Sequence, residues 1–338
     1  MRNETRIAYN AYLAQLAKLN GVPSAAEKFT IDPSIQQTLE SKIQESSDFL
    51  QKINIVGVPE QSGEKLGLGV SGPIAGTTDT AAQDRATSDL SAMDANGYVC
   101  TQTNFDSHIG YAKLDMWAKF PDFQTRLRDS ILRRQALDRI MIGFNGTSRA
   151  VTSNKVANPL LQDVNKGWLQ KYRENAAARV MDQGANAGAV RVGEAAGRDY
   201  YNLDALVFDA VNNLIEPWYR EDTELVVILG RDLLADKYFP LINAANPPTE
   251  KLAADLIVSQ KRVGGLQAMR APFVPAGTLM ITRLDNLSIY WQEGARRRTV
   301  VDNAKRDRIE NYESSNEAYV IEDYGCGGVV ENITFAWA

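Results

Sequence analysis

Apolar residues near the start of the chain recur at the spacing of one face of a helix. Within residues 8–19 they lie three or four positions apart on successive turns, which predicts an α-helix. Asn20-Gly21 and then Pro23 are typical of a helix C-terminus. A helix of about twelve residues is unstable alone in water, so either its own domain or a partner protein must cover it. The stripe consists of Tyr9, Tyr12, Leu13, Leu16 and Leu19.

A link and a second helix follow. Residues 21–31 are predicted to form an exposed link that a protease could reach. Asp32 and Pro33 suit the N-cap and the first position of a helix. Apolar residues four to seven positions apart continue that helix to about Lys52, and residues 53–58 predict a short strand.

The next segment, residues 63–97, is rich in Gly, Thr, Ser, Ala and Asp. A structureless stretch of this length is uncommon inside a compact domain. Apolar residues alternate at both of its ends, which predicts two strands of an extended hairpin arm. Such an arm buries little of itself, so we expect another chain to cover it. The alternating residues are Leu66, Leu68 and Val70 on one side, and Tyr98 and Cys100 on the other.

Residues 120–145 carry the strongest helix prediction in the chain. Two apolar rows with steps of four residues run through the segment: Phe123, Leu127 and Ile131, then Leu132, Ala136, Ile140 and Phe144. Arginines lie largely off these rows, so the pattern predicts a long helix with a basic outer face. Four arginines are therefore candidate contacts with neighbouring subunits: Arg126, Arg133, Arg134 and Arg139.

The second half of the chain mixes helices with strands. The order favours an α+β or α/β subdomain, and the Gly- and Ala-rich residues 182–199 between its elements predict a mobile loop. Helices are predicted at 160–174, 202–215, 230–242 and 249–259. Strands are predicted at 225–229, 267–270, 278–283 and 287–292, with further strands after residue 308.

Composition narrows the function classes. The 338 residues carry a net charge of −5, and the arginine clusters at 296–298 and 305–308 are short. We expect those clusters to be solvated or to pair with other subunits, since dedicated DNA binding needs a broad basic face. No run of 18 apolar residues occurs, so no membrane partner is expected. Two distant cysteines, Cys100 and Cys326, favour a reducing cytoplasm.

The search for catalytic or cofactor chemistry finds little. Residues 67–72 match G-x-G-x-x-G, but Pro73 and Gly76 follow where a dinucleotide site needs a helix. His108 is the only histidine, which excludes a metal site built from several histidines, and its surroundings predict a strand residue. Adjacent carboxylates such as Glu221 and Asp222 are interpreted as solvated surface charges, because general acid–base catalysis needs two carboxylates in a dry cleft. We expect no cofactor, no metal and no catalytic residues.

Long stretches of the chain resemble the P2 family of phage major capsid proteins. The resemblance covers nearly the whole chain and is weakest at residues 75–95 and 182–199. It implies the α+β, HK97-like fold shared by tailed-phage and herpesvirus shell proteins. The matching segments include QESSDFLQKINIV, FQTRLRDSILRRQALDRIMIGFNG, DALVFDAVNNLIEPWYRED, GRDLLADKYFP and RIENYESSNEAYVIEDY.

The resemblance also implies a domain allocation. An N-arm would comprise residues 1–60, of which 1–29 would be removed on maturation, and the extended loop would be 61–112. The peripheral domain, which contains the long spine helix, would comprise residues 113–175 and 301–322. The axial domain with the terminal strand would comprise residues 176–300 and 323–338.

Partners and processing follow from the same resemblance. The chain would assemble with itself into hexamers and pentamers, with an internal scaffolding protein that carries a protease, and with a portal protein. The shell would enclose double-stranded DNA without reading its sequence. Cleavage would fall near Lys28, at Phe29 and Thr30. The competing interpretations are an encapsulin-like cargo shell and an enzyme with an α/β body.

Overall fold

The computed structural model describes residues 1–65, 75–85, 97–117, 123–235, 237 and 262–336. The chain forms two compact units. Unit 1 comprises Met1–Ser62, Val99–Gly167 and Ser288–Val320. Unit 2 comprises Gly63–Tyr98, Trp168–Leu287 and Ile321–Ala338.

Helices and strands both contribute substantially to the described residues, as expected for an α+β protein. The helices are α1 (Asn3–Leu19), α2 (Pro33–Glu45), α3 (Tyr111–Trp117), α4 (Phe123–Asn145), α5 (Trp168–Asn175) and α6 (Leu203–Leu214). The strands of the first half are β1 (Phe29–Thr30), β2 (Asn54–Val58), β3 (Ser62–Gly63), β4 (Tyr98–Val99), β5 (Thr101–Asn104), β6 (Ser107–Gly110), β7 (Val180–Met181) and β8 (Val190–Gly193). Those of the second half are β9 (Val226–Leu229), β10 (Arg262–Val263), β11 (Leu266–Arg270), β12 (Leu279–Thr282), β13 (Leu287–Gln292), β14 (Arg297–Asn303), β15 (Arg308–Ile321), β16 (Gly328–Val330) and β17 (Ile333–Ala336).

Unit 1 is built around a sheet that β15 organises. The strand order is β1-β14-β15-β13-β2, and β5 and β6 also pair with β15. His108 lies in β6 opposite Glu310, so its prediction as a strand residue is confirmed. The residues that follow β6, however, form the helix α3 and not a strand.

Unit 2 has its core between α6 and a six-stranded sheet. The sheet order is β10-β11-β9-β12-β16-β7, and β9 lies between a parallel and an antiparallel neighbour. All four residues of β9 are buried, as a continuous apolar run predicts for a central strand. The Asn202 side chain accepts a hydrogen bond from Ala205 N at 2.8 Å and caps α6. Leu206, Val207 and Ala210 then pack into the core.

Several predicted elements end elsewhere than expected. The second helix stops at Glu45 and not at Lys52, because the Ser46 hydroxyl donates to Ile43 O at 2.7 Å and competes with the helix backbone. The helix predicted over 160–174 is wrong before Trp168. There Gly167 lies so close to α4 that a Cβ on it would come within 2.3 Å of Gly143 O.

The predicted mobile loop at 182–199 is also wrong in part. Its centre is β8, which pairs in parallel with β17, and Val190 and Val192 are fully buried. The hairpin residues Leu66, Leu68 and Val70 lie outside the described residues, as do most of the helices predicted over 230–259.

A buried charge network joins α2, α4, β14 and β15 within unit 1. Arg139 contacts Glu40 at 2.6 Å and Glu317 at 2.7 Å. Arg296 contacts the same Glu40 at 2.5 Å and Glu313 at 2.5 Å. Both arginine side chains are 0% exposed. Glu40 thus bridges two arginines that lie far apart in the chain.

Opposite charges stabilise the ionised carboxylates despite their burial. Burial alone would raise the pKa of Glu40, but the guanidinium groups of Arg139 and Arg296 outweigh it and hold that pKa below its usual value. The pKa of Glu313 is lowered for the same reason, with Arg296 as its main partner. Glu40 and Glu313 therefore stay charged at neutral pH.

The placement of two arginines contradicts the sequence interpretation. Arg139 does not lie on a basic outer face, because α4 is buried on nearly all sides from Gln135 onwards. Arg296 is neither solvated nor available to another subunit, because Glu40 and Glu313 bind it inside unit 1.

Loss of a buried partner should destabilise unit 1 strongly. We expect Arg139→Met to lower the free energy of unfolding by about 3–5 kcal/mol, because it leaves Glu40 and Glu317 buried without that cation. Urea denaturation of the unassembled chain measures the change. Arg134→Met is the matched control, since Arg134 is 61% exposed and its ion pair among the described residues is with Asp138 on the same helix; its cost should stay below about 1 kcal/mol. Equal costs for the two variants would contradict the structural role of the network.

Both thiols should be unreactive in the native chain. Burial raises the pKa of Cys100 to about 12 and that of Cys326 to about 12, and both are free thiols. We therefore expect no reaction with a disulfide reagent at about pH 8, near the pKa of an ordinary thiol. Both should react in guanidinium chloride, with absorbance of the released thiolate as the measurement. Rapid labelling of the native chain would show that one of these cores opens readily.

Candidate processing and assembly surfaces

The residues predicted at the processing site lie in an edge strand. Phe29 and Thr30 form β1, which pairs antiparallel with Arg298 and Arg297 of β14. Ile31 N continues this pairing by donating to Arg296 O at 2.9 Å. Thr30 is exposed, whereas Phe29 is only 7% exposed.

The link before β1 is therefore exposed only in part. Ala26, Glu27 and Lys28 are exposed, but Ala25 is buried and its carbonyl accepts a hydrogen bond from Val300 N at 3.1 Å. Hydrolysis at Phe29 needs that residue to leave its buried position first. A protease can therefore reach the residues just before β1, whereas strand pairing and the burial of Phe29 restrict its access to β1 itself.

The apolar face of helix α1 packs on other elements of unit 1. Its apolar stripe contacts residues of α3, β14 and β15. Among the contacted residues, Leu114 and Val300 are buried. The N-terminal helix is thus covered by its own domain.

Charged contacts hold the first turns of α1. Arg6 Nη1 lies 2.5 Å from Asp302 Oδ2, and the Tyr111 hydroxyl donates to the other oxygen of Asp302. Arg2 N donates to Asp115 Oδ1 at 2.9 Å. Partial burial favours a higher pKa for Asp302, but the hydrogen bonds from Tyr111 and Arg6 outweigh it and lower that pKa. Two acids of unit 1 therefore meet the positive end of α1.

The predicted assembly arginines are not equivalent. Arg133 and Arg134 are exposed on α4, and Arg134 pairs with Asp138 at 2.7 Å. Arg139 is buried in the charge network, and the side chain of Arg126 lies outside the described residues. Of the four predicted arginines, Arg133 and Arg134 are thus the ones whose described side chains remain candidate contacts.

A loop after α4 displays apolar side chains that sequence reasoning missed. Val151 and Val156 are fully or almost fully exposed, at 108% and 94%. Hydrogen bonds hold the loop: Asp163 Oδ2 accepts from Asn154 N at 2.7 Å, and Asn154 Oδ1 accepts from Val156 N at 3.0 Å. These two exposed valines are candidate contact residues. Valines within an Asn- and Ser-rich stretch were the available signal.

Unit 2 has an exposed aromatic stripe of its own. It consists of Phe208 on α6, which is 66% exposed, and Tyr201 just before the helix, which is 55% exposed. The opposite side of α6 packs into the core. This stripe is a second candidate contact surface.

The described residues hold no group of three or more His, Cys, Asp or Glu side chains able to bind a metal ion. Among those same residues, no helix is both long and apolar enough to cross a membrane.

Comparisons with known proteins show the family of this chain. The profile described as "Phage major capsid protein, P2 family" matches residues 8–333. The "Capsid proteins" of Escherichia phage P2 are 55% identical, over 98% of this chain and 95% of that protein. The "Major capsid protein" of Serratia phage KSP20 is 43% identical, over 99% of this chain and 98% of its own length.

Solved structures extend the comparison to the fold. A chain of the satellite phage P4 procapsid that includes the size determination (Sid) protein matches with a TM-score of 0.83 and 52% identity, covering 99% of both chains. A chain of the capsid of an empty GTA particle matches with a TM-score of 0.53 at 17% identity, covering 86% of this chain and 90% of its own, and shares the fold alone. The fold is the HK97-like capsid fold, and the chain belongs to the P2 family of phage major capsid proteins.

Proposed function

We propose that this chain assembles into hexamers and pentamers that form the icosahedral head of a phage. The family match over residues 8–333 carries the proposal. The exposed valines of the loop after α4 and the aromatic stripe of α6 support it, because such residues need cover in an assembly. Double-stranded DNA would be enclosed by volume, consistent with the net charge of −5.

The two compact units suggest how the domains divide. Unit 1, with α4 as the spine, would be the peripheral domain with the N-arm, and unit 2 would be the axial domain. Their bounds differ from the expected ones chiefly in three places: residues 99–112 and 288–300 belong to unit 1, and residues 168–175 belong to unit 2. The extended loop would then be the segment between Ser62 and Val99.

Assembly would involve other proteins in the host cytoplasm. An internal scaffolding protein with a protease would direct it and remove the segment before β1, and a portal protein would occupy one vertex. The P4 procapsid structure includes a size determination protein, which supports accessory partners for chains of this kind. A role as an encapsulin-like shell is less favoured, because the relatives with high identity are phage capsid proteins. A structural role without catalysis fits the same relatives.

Shell formation should depend on the exposed valines. Co-expression with the scaffolding protein should yield closed shells, visible by electron microscopy and in sedimentation. We expect Val151→Asp with Val156→Asp to shift the product to smaller assemblies, because charges would enter an apolar contact. Val151→Thr with Val156→Thr is the control of matched shape. Shells of unchanged yield from the aspartate variant would remove this loop from the contact surfaces, and absence of shells from the unchanged chain would refute the proposed function.

Processing should remove the segment before β1. Intact-mass measurement of mature particles should give a chain that begins near Phe29 and Thr30, because the residues just before them are exposed. The same measurement on shells formed with a protease-inactive scaffold should give the complete chain. A mature chain that still begins at Met1 or Arg2 would contradict the processing hypothesis.

A further inference from the structure

The contacts of α1 fall on one surface of unit 1, here called the arm-docking surface. Its apolar part receives Tyr9, Leu13 and Leu16, and Tyr9 itself is 9% exposed. Its acidic part meets the positive end of the helix. The arm-docking surface consists of Ile109, Tyr111, Leu114, Asp115, Val300, Asp302 and Ile309, together with Phe29, Ile31, Ile35 and Leu39, which share a second apolar cluster with Leu13, Leu16 and Ala17 of α1.

The charges on the two sides are complementary. The α1 side carries the terminal ammonium group, Arg2 and Arg6, whereas the arm-docking surface offers Asp115 and Asp302. The helix dipole adds partial positive charge at the same end of α1. Apolar contact and charge thus act on the same face of the helix.

The other side of α1 faces away from this surface. Ile7 on that side is 70% exposed, and Leu19, which ends the predicted stripe at the last residue of α1, is 59% exposed. A short link with exposed Ala26, Glu27 and Lys28 joins the segment to β1. The segment is therefore bound through one face, as a helical peptide is bound by a separate protein.

We propose that the arm-docking surface is a peptide-binding site whose ligand is the segment 1–28, so that this segment stays bound after the backbone is cut and leaves in a separate, reversible step. The proposal rests on the processing included in the proposed function. Its contacts do not depend on an intact backbone between Lys28 and Phe29. Ala25 adds a second anchor near the cut, because Val300 N donates to its carbonyl at 3.1 Å.

Reversibility follows from the cost of ordering the helix. Most of the stability of a helix in a protein comes from tertiary packing, so the free segment loses much of its helix and must refold when it binds. That ordering cost reduces the affinity relative to the contacts made. We therefore expect dissociation on dilution and retention where the segment is concentrated.

The test uses the full chain with a recognition sequence for tobacco etch virus protease inserted between Glu27 and Lys28. The chain is cut in its folded state, with circular dichroism before and after, and then passed through gel filtration at a series of concentrations. We expect the released segment to elute with the rest of the chain at high concentration and to separate on dilution. Because the cut is artificial, the result does not depend on the phage protease or on shell formation.

Substitution of the acids tests the docking contacts. Asp302→Asn with Asp115→Asn should weaken retention about tenfold, because charge-assisted hydrogen bonds to α1 are lost. Asp129→Asn is the matched control, since Asp129 is exposed on α4 and pairs with Arg128. Complete separation of the segment from a folded, cut chain at every concentration would overturn the proposal. Equal retention by the acid variant and the control would also overturn it, whereas shell formation by the uncut chain tests the proposed function independently.

Discussion

Two buried arginines determine how unit 1 is put together. Arg139 and Arg296 are fully buried, and their charges can be accommodated only if Glu40, Glu313 and Glu317 all reach them. A buried ion without its partners is costly, so α2, α4, β14 and β15 must hold one mutual arrangement. The apolar contacts of the same elements would tolerate small shifts, whereas these hydrogen bonds would not.

This constraint divides the N-terminal arm into two parts with different attachments. The helix α2 supplies Glu40 and cannot leave without exposing two arginines to an apolar interior. The helix α1 contributes no side chain to that network and is held from one side by apolar contacts and by Asp115 and Asp302. The link between the two helices contains the exposed residues before β1. The link thus separates α1, which is the easier helix to release, from α2, which the charge network retains.

Sequence patterns predicted the elements whose apolar residues form a regular local series. The helix α4 was predicted from its rows of apolar residues, and the strands β9 and β12 from their continuous apolar runs. Arg133, Arg134 and Arg139 look alike in the sequence, yet only Arg139 is buried. Its burial depends on Glu40, which lies 99 positions away, and no local pattern reports such a partner. Residues 160–167 follow the helical period but are held otherwise by close packing of Gly167 on α4.

The candidate surfaces were harder to predict than the fold. The resemblance to capsid proteins supplied the fold and the region of processing, but not the burial of Phe29 or the exposure of Val151. Both depend on which neighbours the folded chain places around a side chain. Valine in a polar loop and valine in a strand such as β8 are indistinguishable until the pairing of distant strands is known.

The pairing of β1 with β14 has an electrostatic consequence for a processed chain. Phe29 and Thr30 lie opposite Arg298 and Arg297. A cut before either residue would create a new α-ammonium group, which is largely protonated at neutral pH, in the strand next to these two cations. Repulsion between like charges would then weaken the two-residue strand that had been held by the continuous chain. Hydrolysis of one peptide bond would thereby loosen the edge of the sheet as well as free the segment before it.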